Sequence, residues 1–441
     1  MAVALTKRRL NAETAESAEK LFFKKKNLSL RSRCSLRLMP LSFLLLLLPA
    51  GCAPQPVEMS ETREAMSTQV TVTAIASAEA VARRAIAAAW QEMDQCAFCL
   101  NRYRTPSEAW LKRDEQALKD PAQRPSDVWR INHEAGKWNT AVAPITTTCL
   151  AAAREVWDLS GGAFDPTVGP VVELWRQAAK ENRLPTDAEI TAAQALVGMQ
   201  KVEILIADIP REPKSVDMAP PGPNAPPMEP MTASVHTVGM AKGMQLDLGG
   251  IAKGYIAGRM AQRMKQAGAT AGLIAAAGDI YAFGERPAAL AREGGERRWI
   301  VGVQDPRFPD DRTRLYTRLA VRNMGVDTSG HYYRGSTIQG QRYSHIVDPR
   351  TGRPVDTHLA SVTVVSLDPA IGDGLSTAIA VMGAEKGVEM VNKITGVECL
   401  VLEAHLKEGR SIGPDGAPPA DAELVAHRSK GFAALEIKPS E

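Results

Sequence analysis

The sequence predicts a single α+β domain of mixed sheets and packed helices, and three features carry that prediction. Val70, Val72 and Ala74 alternate with polar residues at the period of a half-buried strand. Val81, Ala85, Ala89 and Met93 then share one face of a helix, with Ser77 placed to cap it. Further strand-like and helix-like runs, bounded by glycine and proline turns, continue without an internal repeat.

Composition sets the outer limits. The chain has 441 residues, 44% hydrophobic and 23% charged, which is globular and long enough to bury one large core or two smaller ones. The 53 Lys+Arg against 50 Asp+Glu leave a net charge of +3, and basic residues crowd the N-terminus, so no nucleic-acid partner is expected. Six cysteines are too few for a disulfide scaffold and do not form the paired clusters of a structural zinc site. Cys96 and Cys99 form one C-x-x-C pair inside a helical pattern and are read as buried thiols rather than a redox pair.

Residues 1–52 read as a leader. Arg31, Arg33 and Arg37 precede the apolar run Leu41 to Leu48, which ends in Pro49-Ala50-Gly51-Cys52, so charged, apolar and small-residue segments follow in secretory order. The run is shorter than the roughly 20 residues that a spanning helix needs. Cys52 resembles a lipobox cysteine, which implies a lipid anchor; an ordinary cleaved signal is the alternative, and translation from nearer Met39 stays open.

A single domain is expected over residues 53–441. A helix from Thr148 to Leu159 stops at Gly161-Gly162, and another runs from Ala252 towards Gly268. Strands are expected at Leu273 to Ala276, Trp299 to Val303, Ser344 to Val347 and Ser361 to Val365. Eight prolines between Ile209 and Pro230 exclude helix and central sheet, so residues of about 209–235 read as a surface insertion between two strands.

Four runs carry chemistry. Gly161-Gly162-Ala163-Phe164-Asp165-Pro166-Thr167-Val168-Gly169-Pro170 fixes an irregular backbone around one carboxylate, or is simply a helix cap and turn. Asp247-Leu248-Gly249-Gly250-Ile251-Ala252-Lys253-Gly254-Tyr255 is a glycine turn entering a helix, where free N–H groups and a lysine suit a phosphate; tight packing is the plainer explanation. In Ser344-His345-Ile346-Val347-Asp348-Pro349-Arg350-Thr351-Gly352-Arg353-Pro354 an imidazole stands beside a turn, suited to take a proton near neutral pH; a structural histidine is the plainer reading. In Gly372-Asp373-Gly374-Leu375-Ser376-Thr377-Ala378 a carboxylate and a hydroxyl lie four apart on one helical face, which suits a hard cation such as Mg²⁺, unless Asp373 only favours the helix N-terminus and Thr377 is buried.

Together with Met66-Ser67-Thr68 and Thr328-Ser329-Gly330, and in this order, these runs closely resemble the FAD:protein FMN transferases, the ApbE family, over Met66 to Cys399. The resemblance implies an ApbE-like, T-fold-like domain. It also implies a Mg²⁺-dependent lipoprotein on the periplasmic side of the inner membrane, splitting FAD and attaching FMN to a Thr or Ser of an acceptor protein with release of AMP. The acceptor so implied is a flavoprotein subunit of a membrane or exported redox complex.

By the same resemblance, Gly250 (through its carbonyl), Asp373 and Thr377 bind Mg²⁺. Met66, Tyr103, Ala163, Phe164, Asp165, Asp247, Lys253 and Val347 line the FAD site, and His345 deprotonates the acceptor hydroxyl. Asp348 and Arg350 hold the His345 turn in shape. Two departures stand out: Ala275-Ala276-Ala277-Gly278-Asp279 has alanine where an Asn and a first glycine are common, and His331 stands where Asp is frequent, read as a rim residue with a rival base or a cofactor contact as the alternatives. An FAD pyrophosphatase and a non-catalytic flavin-binding lipoprotein are the alternatives.

Overall fold

A two-residue turn starts the fold. β1 (Val57–Ala65) pairs with β2 (Thr68–Ala76) in the register Ala65 to Thr68, leaving Met66 and Ser67 between them at φ +51° and +60°. Two positive φ values in succession make the type I′ turn whose twist matches that of the strands. The structure, a computed structural model, describes residues 55–137, 139–210, 232–291, 295–330, 335–355, 359–407 and 416–437. The leader with Cys52, residues 211–231 of the proline-rich stretch, and His331 lie outside them.

α1 (Glu79–Leu100) follows and buries Ala85, Ala89 and Met93 as the spacing predicts. Its N-cap is Ala78 and carries no side-chain cap, so the expectation for Ser77 fails by one position; Glu79 puts a negative charge at the positive helix end instead. Three short helices, α2 (Glu108–Leu111), α3 (Glu115–Lys119) and α4 (Asp127–His133), are capped by Ser107, Asp114 and Ser126. β3 (Thr140–Val142) leads to α5 (Pro144–Leu159), which starts a turn before Thr148 because Pro144 is pre-set for the first helical position. α5 ends before Gly161 and Gly162, both at positive φ. After α6 (Gly169–Glu181) and α7 (Asp187–Gln194), β4 (Val202–Pro210) and β5 (Thr232–Met240) join β3 in a sheet of order β3-β5-β4. The proline-rich stretch thus falls between two strands, and Pro210 is tolerated because β4 is an edge.

α8 (Ala252–Gln266) precedes β6 (Ala271–Ala276), β7 (Asp279–Phe283), β8 (Trp299–Gln304), β9 (Leu315–Val321) and β10 (Met324–Gly330). The expected strand from Ser344 to Val347 is two pieces. β12 (Gln341–Ser344) pairs with β11 (Gly335–Ile338), and β13 (Val347–Asp348) pairs with β14 (Arg353–Pro354). The Ser344 hydroxyl accepts the Ile346 N–H at 3.1 Å and turns the chain at His345. β15 (Leu359–Ser366), α9 (Pro369–Met382), α10 (Ala384–Val391), β16 (Val397–His405) and β17 (Glu423–Arg428) complete the order.

Eight strands form one antiparallel sheet in the order β1-β2-β6-β7-β10-β15-β16-β17. Alternate side chains serve opposite faces. Val72, Ile274, Phe283 and Val364 pack with α1, α8 and α9, whereas Ile75, Ala282, Val326 and Leu400 pack with Trp299, Val301 and Leu319 of the β8–β9 ribbon. β15, covered on both faces, is buried along its whole length. On the helix face α8 and α9 touch backbone to backbone: a Cβ at Gly254 would run into the Pro369 carbonyl and lie 2.8 Å from the Asp373 Cβ. Only glycine lets the start of α8 come this close.

Candidate active site

The α8–α9 contact brings two of the four runs together at once. The Gly254 N–H at the start of α8 donates to Asp373 Oδ2 on α9 at 2.9 Å. One turn earlier, a Cβ placed on Gly250 would lie 3.0 Å from Thr377 Oγ1 and 3.3 Å from the Phe164 ring, which brings in a third run. Gly250, Asp373 and Thr377 therefore share one spot. A carbonyl, a carboxylate and a hydroxyl are hard oxygen donors. Among the described residues no group of three or more His, Cys, Asp or Glu could hold a metal.

Lys253 sits beside them. Its ammonium pairs with Asp279 Oδ2 on β7 and lies 3.7 Å from Asp373 Oδ1. Burial would lower the lysine pKa, but the charges of Asp279 and Asp373 outweigh it and hold the group above the ordinary lysine range. Asp373 is 2% exposed; burial pushes its carboxyl up to about 6, against the pull of Lys253 and of the Gly254 N–H.

Two carboxyls at this spot were beyond sequence reasoning. Asp279 entered only as the end of an atypical alanine–glycine run, and Asp327 belonged to no motif. Asp327 stands directly across the ladder from Asp279, on the helix face of the sheet. It is fully buried, and neither carboxyl oxygen has a hydrogen-bond partner. Burial, then Asp279 and Asp373, drive its pKa well above the carboxylate range. The one available signal was an Asp at an inward position of an alternating strand.

The remaining predicted residues fall into two groups. Ala163, Phe164 and Asp165 are buried. Asp165 accepts from Thr167 N at 2.8 Å, Thr167 Oγ1 at 2.6 Å and Met199 N at 3.1 Å, so both its oxygens are occupied in shaping the run. The Asp247 N–H donates to the Pro166 carbonyl at 2.7 Å and ties that run to the glycine turn. Asp247 Oδ1 accepts the Gly249 N–H at 2.9 Å, and Oδ2 accepts from Arg102 at 2.6 Å. Arg102, which carried no motif, also donates to Gln245 at 3.1 Å and lies under the ring of Tyr103, itself 64% exposed. Met66 is half-buried in the β1–β2 turn and packs against the helix-face core.

His345 and Val347 belong to a neighbouring unit. His345 is exposed at its bend, while Val347 is buried in a small core with Trp175, Ile190 and Ile338. Asp348 accepts the Arg350 N–H at 2.8 Å and its Nε at 2.9 Å, and Trp175 of α6 donates to the Gly352 carbonyl at 2.9 Å. The turn is thus anchored on α6, the helix that grows out of the run containing Asp165. Cys96 and Cys99 are free and buried, and burial pushes both thiols up to about 12.

With this geometry in place, the chain matches the model of the ApbE family over residues 66–401. It is 31% identical over 277 residues to an FAD:protein FMN transferase of Klebsiella pneumoniae, covering 63% of this chain and 75% of the relative. It is 28% identical over 321 residues to the enzyme of that name from Treponema pallidum, covering 72% and 82%. Among solved structures, the ApbE protein of Thermotoga maritima superposes with a TM-score of 0.61 at 26% identity, covering 87% of this chain and all of that one. The apo flavinyl transferase ApbE of Pseudomonas stutzeri superposes with the same TM-score at 24% identity, covering 88% and 99%.

Proposed function

The chain belongs to the ApbE family, and on that premise we propose that it is an FAD:protein FMN transferase, cleaving FAD and esterifying FMN to a Thr or Ser of an acceptor protein with release of AMP. The observation that carries this reading is the convergence of Gly250, Lys253, Asp373 and Thr377 where the start of α8 meets α9.

The Gly250 carbonyl, the Asp373 carboxylate and the Thr377 hydroxyl would hold Mg²⁺. The fit rests on the hard donor set and on the bare Gly250 facing Thr377, with the remaining positions left for phosphate oxygens and water. When bound, the ion neutralises charge on the diphosphate as the P–O bond breaks. The chain's own residues do the rest. Gly249 and Gly250 let backbone approach the diphosphate at the positive end of α8. Before the cation binds, Lys253 favours the charged form of Asp373. Asp165 shapes its own run and the Asp247 N–H ties that run to the glycine turn, so Ala163 and Phe164 present a fixed wall to the cofactor. Tyr103, exposed above Arg102, offers an aromatic face, and Met66 and Val347 offer apolar contacts. His345 takes the proton of the acceptor hydroxyl. The freed oxygen attacks the FMN phosphorus, and AMP departs with the electrons of the broken bond.

The leader ending at Cys52 supports a lipid-anchored protein on the periplasmic side of the inner membrane, and hence an acceptor in a membrane or exported redox complex. Among the described residues no helix is long and apolar enough to cross a membrane.

Incubation with FAD, Mg²⁺ and an unmodified acceptor with a free Ser or Thr hydroxyl tests this reading. The acceptor should gain the mass of FMN less water, with one AMP per transfer. Asp373→Ala should slow transfer on the order of 100-fold or more, the several kcal/mol that a bound cation supplies. Free FMN without acceptor labelling would make the protein a pyrophosphatase, and FAD binding without AMP release would make it a carrier.

A further inference from the structure

Lys253 and a divalent cation compete for the same carboxylate. The ammonium stands 3.7 Å from Asp373 Oδ1, where, on the reading above, a doubly charged ion would bind. Like charges at that range repel strongly in a buried, low-dielectric setting. Lys253 must therefore withdraw from Asp373 for the cation to bind tightly.

The sheet side of the site is built to receive it. An ammonium has three donors. Asp279 already accepts from this one. Directly across the ladder, Asp327 offers two oxygens that accept no hydrogen bond among the described residues, although the residue is fully buried. Cross-strand partners on one face hold their Cβ atoms roughly 5 Å apart, so an ammonium leaning on Asp279 has Asp327 within a small side-chain rotation. Ionised or not, the carboxyl keeps a lone pair for an N–H donor. An unengaged polar group so deeply buried is costly, and buried polar groups in proteins almost always have partners. Glycine at 372 also leaves Asp327 its room, since a Cβ there would collide with Oδ2.

We propose that Asp327 is a positioning residue that receives the Lys253 ammonium, jointly with Asp279, when a divalent cation takes Asp373. Asp327 then tunes cation affinity without touching the cation. This rests on the reading of Asp373 as a cation ligand.

The test is a double-mutant cycle on the full chain with ADP present as the diphosphate, Mn²⁺ as the probe, and free Mn²⁺ read by electron paramagnetic resonance. Asp327→Ala, which removes both acceptor oxygens, should weaken Mn²⁺ binding about five- to tenfold, a usual size for coupling between sites. In a Lys253→Met background, where no ammonium needs a new partner, the same substitution should change nothing. Unaltered Mn²⁺ affinity in the single variant, or an equal loss in both backgrounds, overturns the proposal. Asp373→Ala separates the two readings: if it leaves Mn²⁺ binding intact, the cation site itself is wrong, whereas its loss together with an inert Asp327→Ala refutes only the role of Asp327.

Discussion

The two ends of α8 solve opposite charge problems. At its start, Lys253 faces the three carboxyls of Asp279, Asp327 and Asp373, and among the described residues Asp327 has no hydrogen-bond partner. Two turns on, Arg259 and Arg263 both grip Glu92 of α1, at 2.7 Å and 2.6 Å from their Nε atoms, and the 2%-exposed carboxylate has both oxygens engaged. Buried charges with complete partners serve the fold, because leaving either side unpaired is expensive. A buried carboxyl left unpaired next to a glycine turn is instead tolerated where a bound species alters the balance.

That contrast can be broken at either end. The largest effect on stability should come from Glu92→Ala, which strips the clamp between α1 and α8. It should cost about 3 kcal/mol, the low side of the range for a broken buried pair, because Arg263 can turn to water. A denaturant midpoint measures this, and flavin transfer per folded molecule should stay as it was. Loss of activity without loss of stability would mean that the clamp belongs to the site.

At the other end pH should act on cation binding. Burial raises Asp373 to about 6, so below that pH a proton occupies the carboxylate that the cation needs. Cation affinity should fall about tenfold per pH unit below 6 and level off above it. A flat profile would show that Asp373 is not the group titrating.

Asp327→Asn should stabilise the cation-free protein by about 1 kcal/mol at neutral pH, since it removes a carboxyl that folds only at a cost. The sign follows from linkage. With the folded pKa raised, the unfolded chain ionises this group first, from about pH 4 upward. The stability that Asp327 contributes is therefore whole below that pH and is lost as pH rises towards the folded value. The variant's advantage in melting temperature should vanish near pH 4 and grow towards neutrality. The smallest effect is a null: iodoacetamide at pH 8 should leave Cys96 and Cys99 unmodified in the native chain and label them on unfolding, because burial holds both thiols near 12.

Much of this was legible in sequence, for reasons that differ by element. The α1 face and the strands β2, β6 and β15 follow from periodicity, which a single chain displays directly. Gly161 and Gly162 end α5 because a left-handed backbone asks for glycine whatever surrounds it. The break at His345 was missed because one serine hydroxyl bonding two residues ahead decides it, and composition around Ser344 reads equally well as a straight strand. The Ser77 cap was missed by a single residue, within the usual uncertainty of helix ends.

The sequence alone determined the α+β class, the main helices and strands, and the four runs of small and polar residues, because each depends on neighbours a few positions away. Only the tertiary structure decided that Gly250 faces Thr377, that Gly254 lets α8 touch α9, and that Asp327 lies across from Asp279 with nothing to bond. Local propensity is written in the order of residues. Which charges meet in a buried seam depends on strand order and helix crossing, and these are set by packing among segments far apart in the chain.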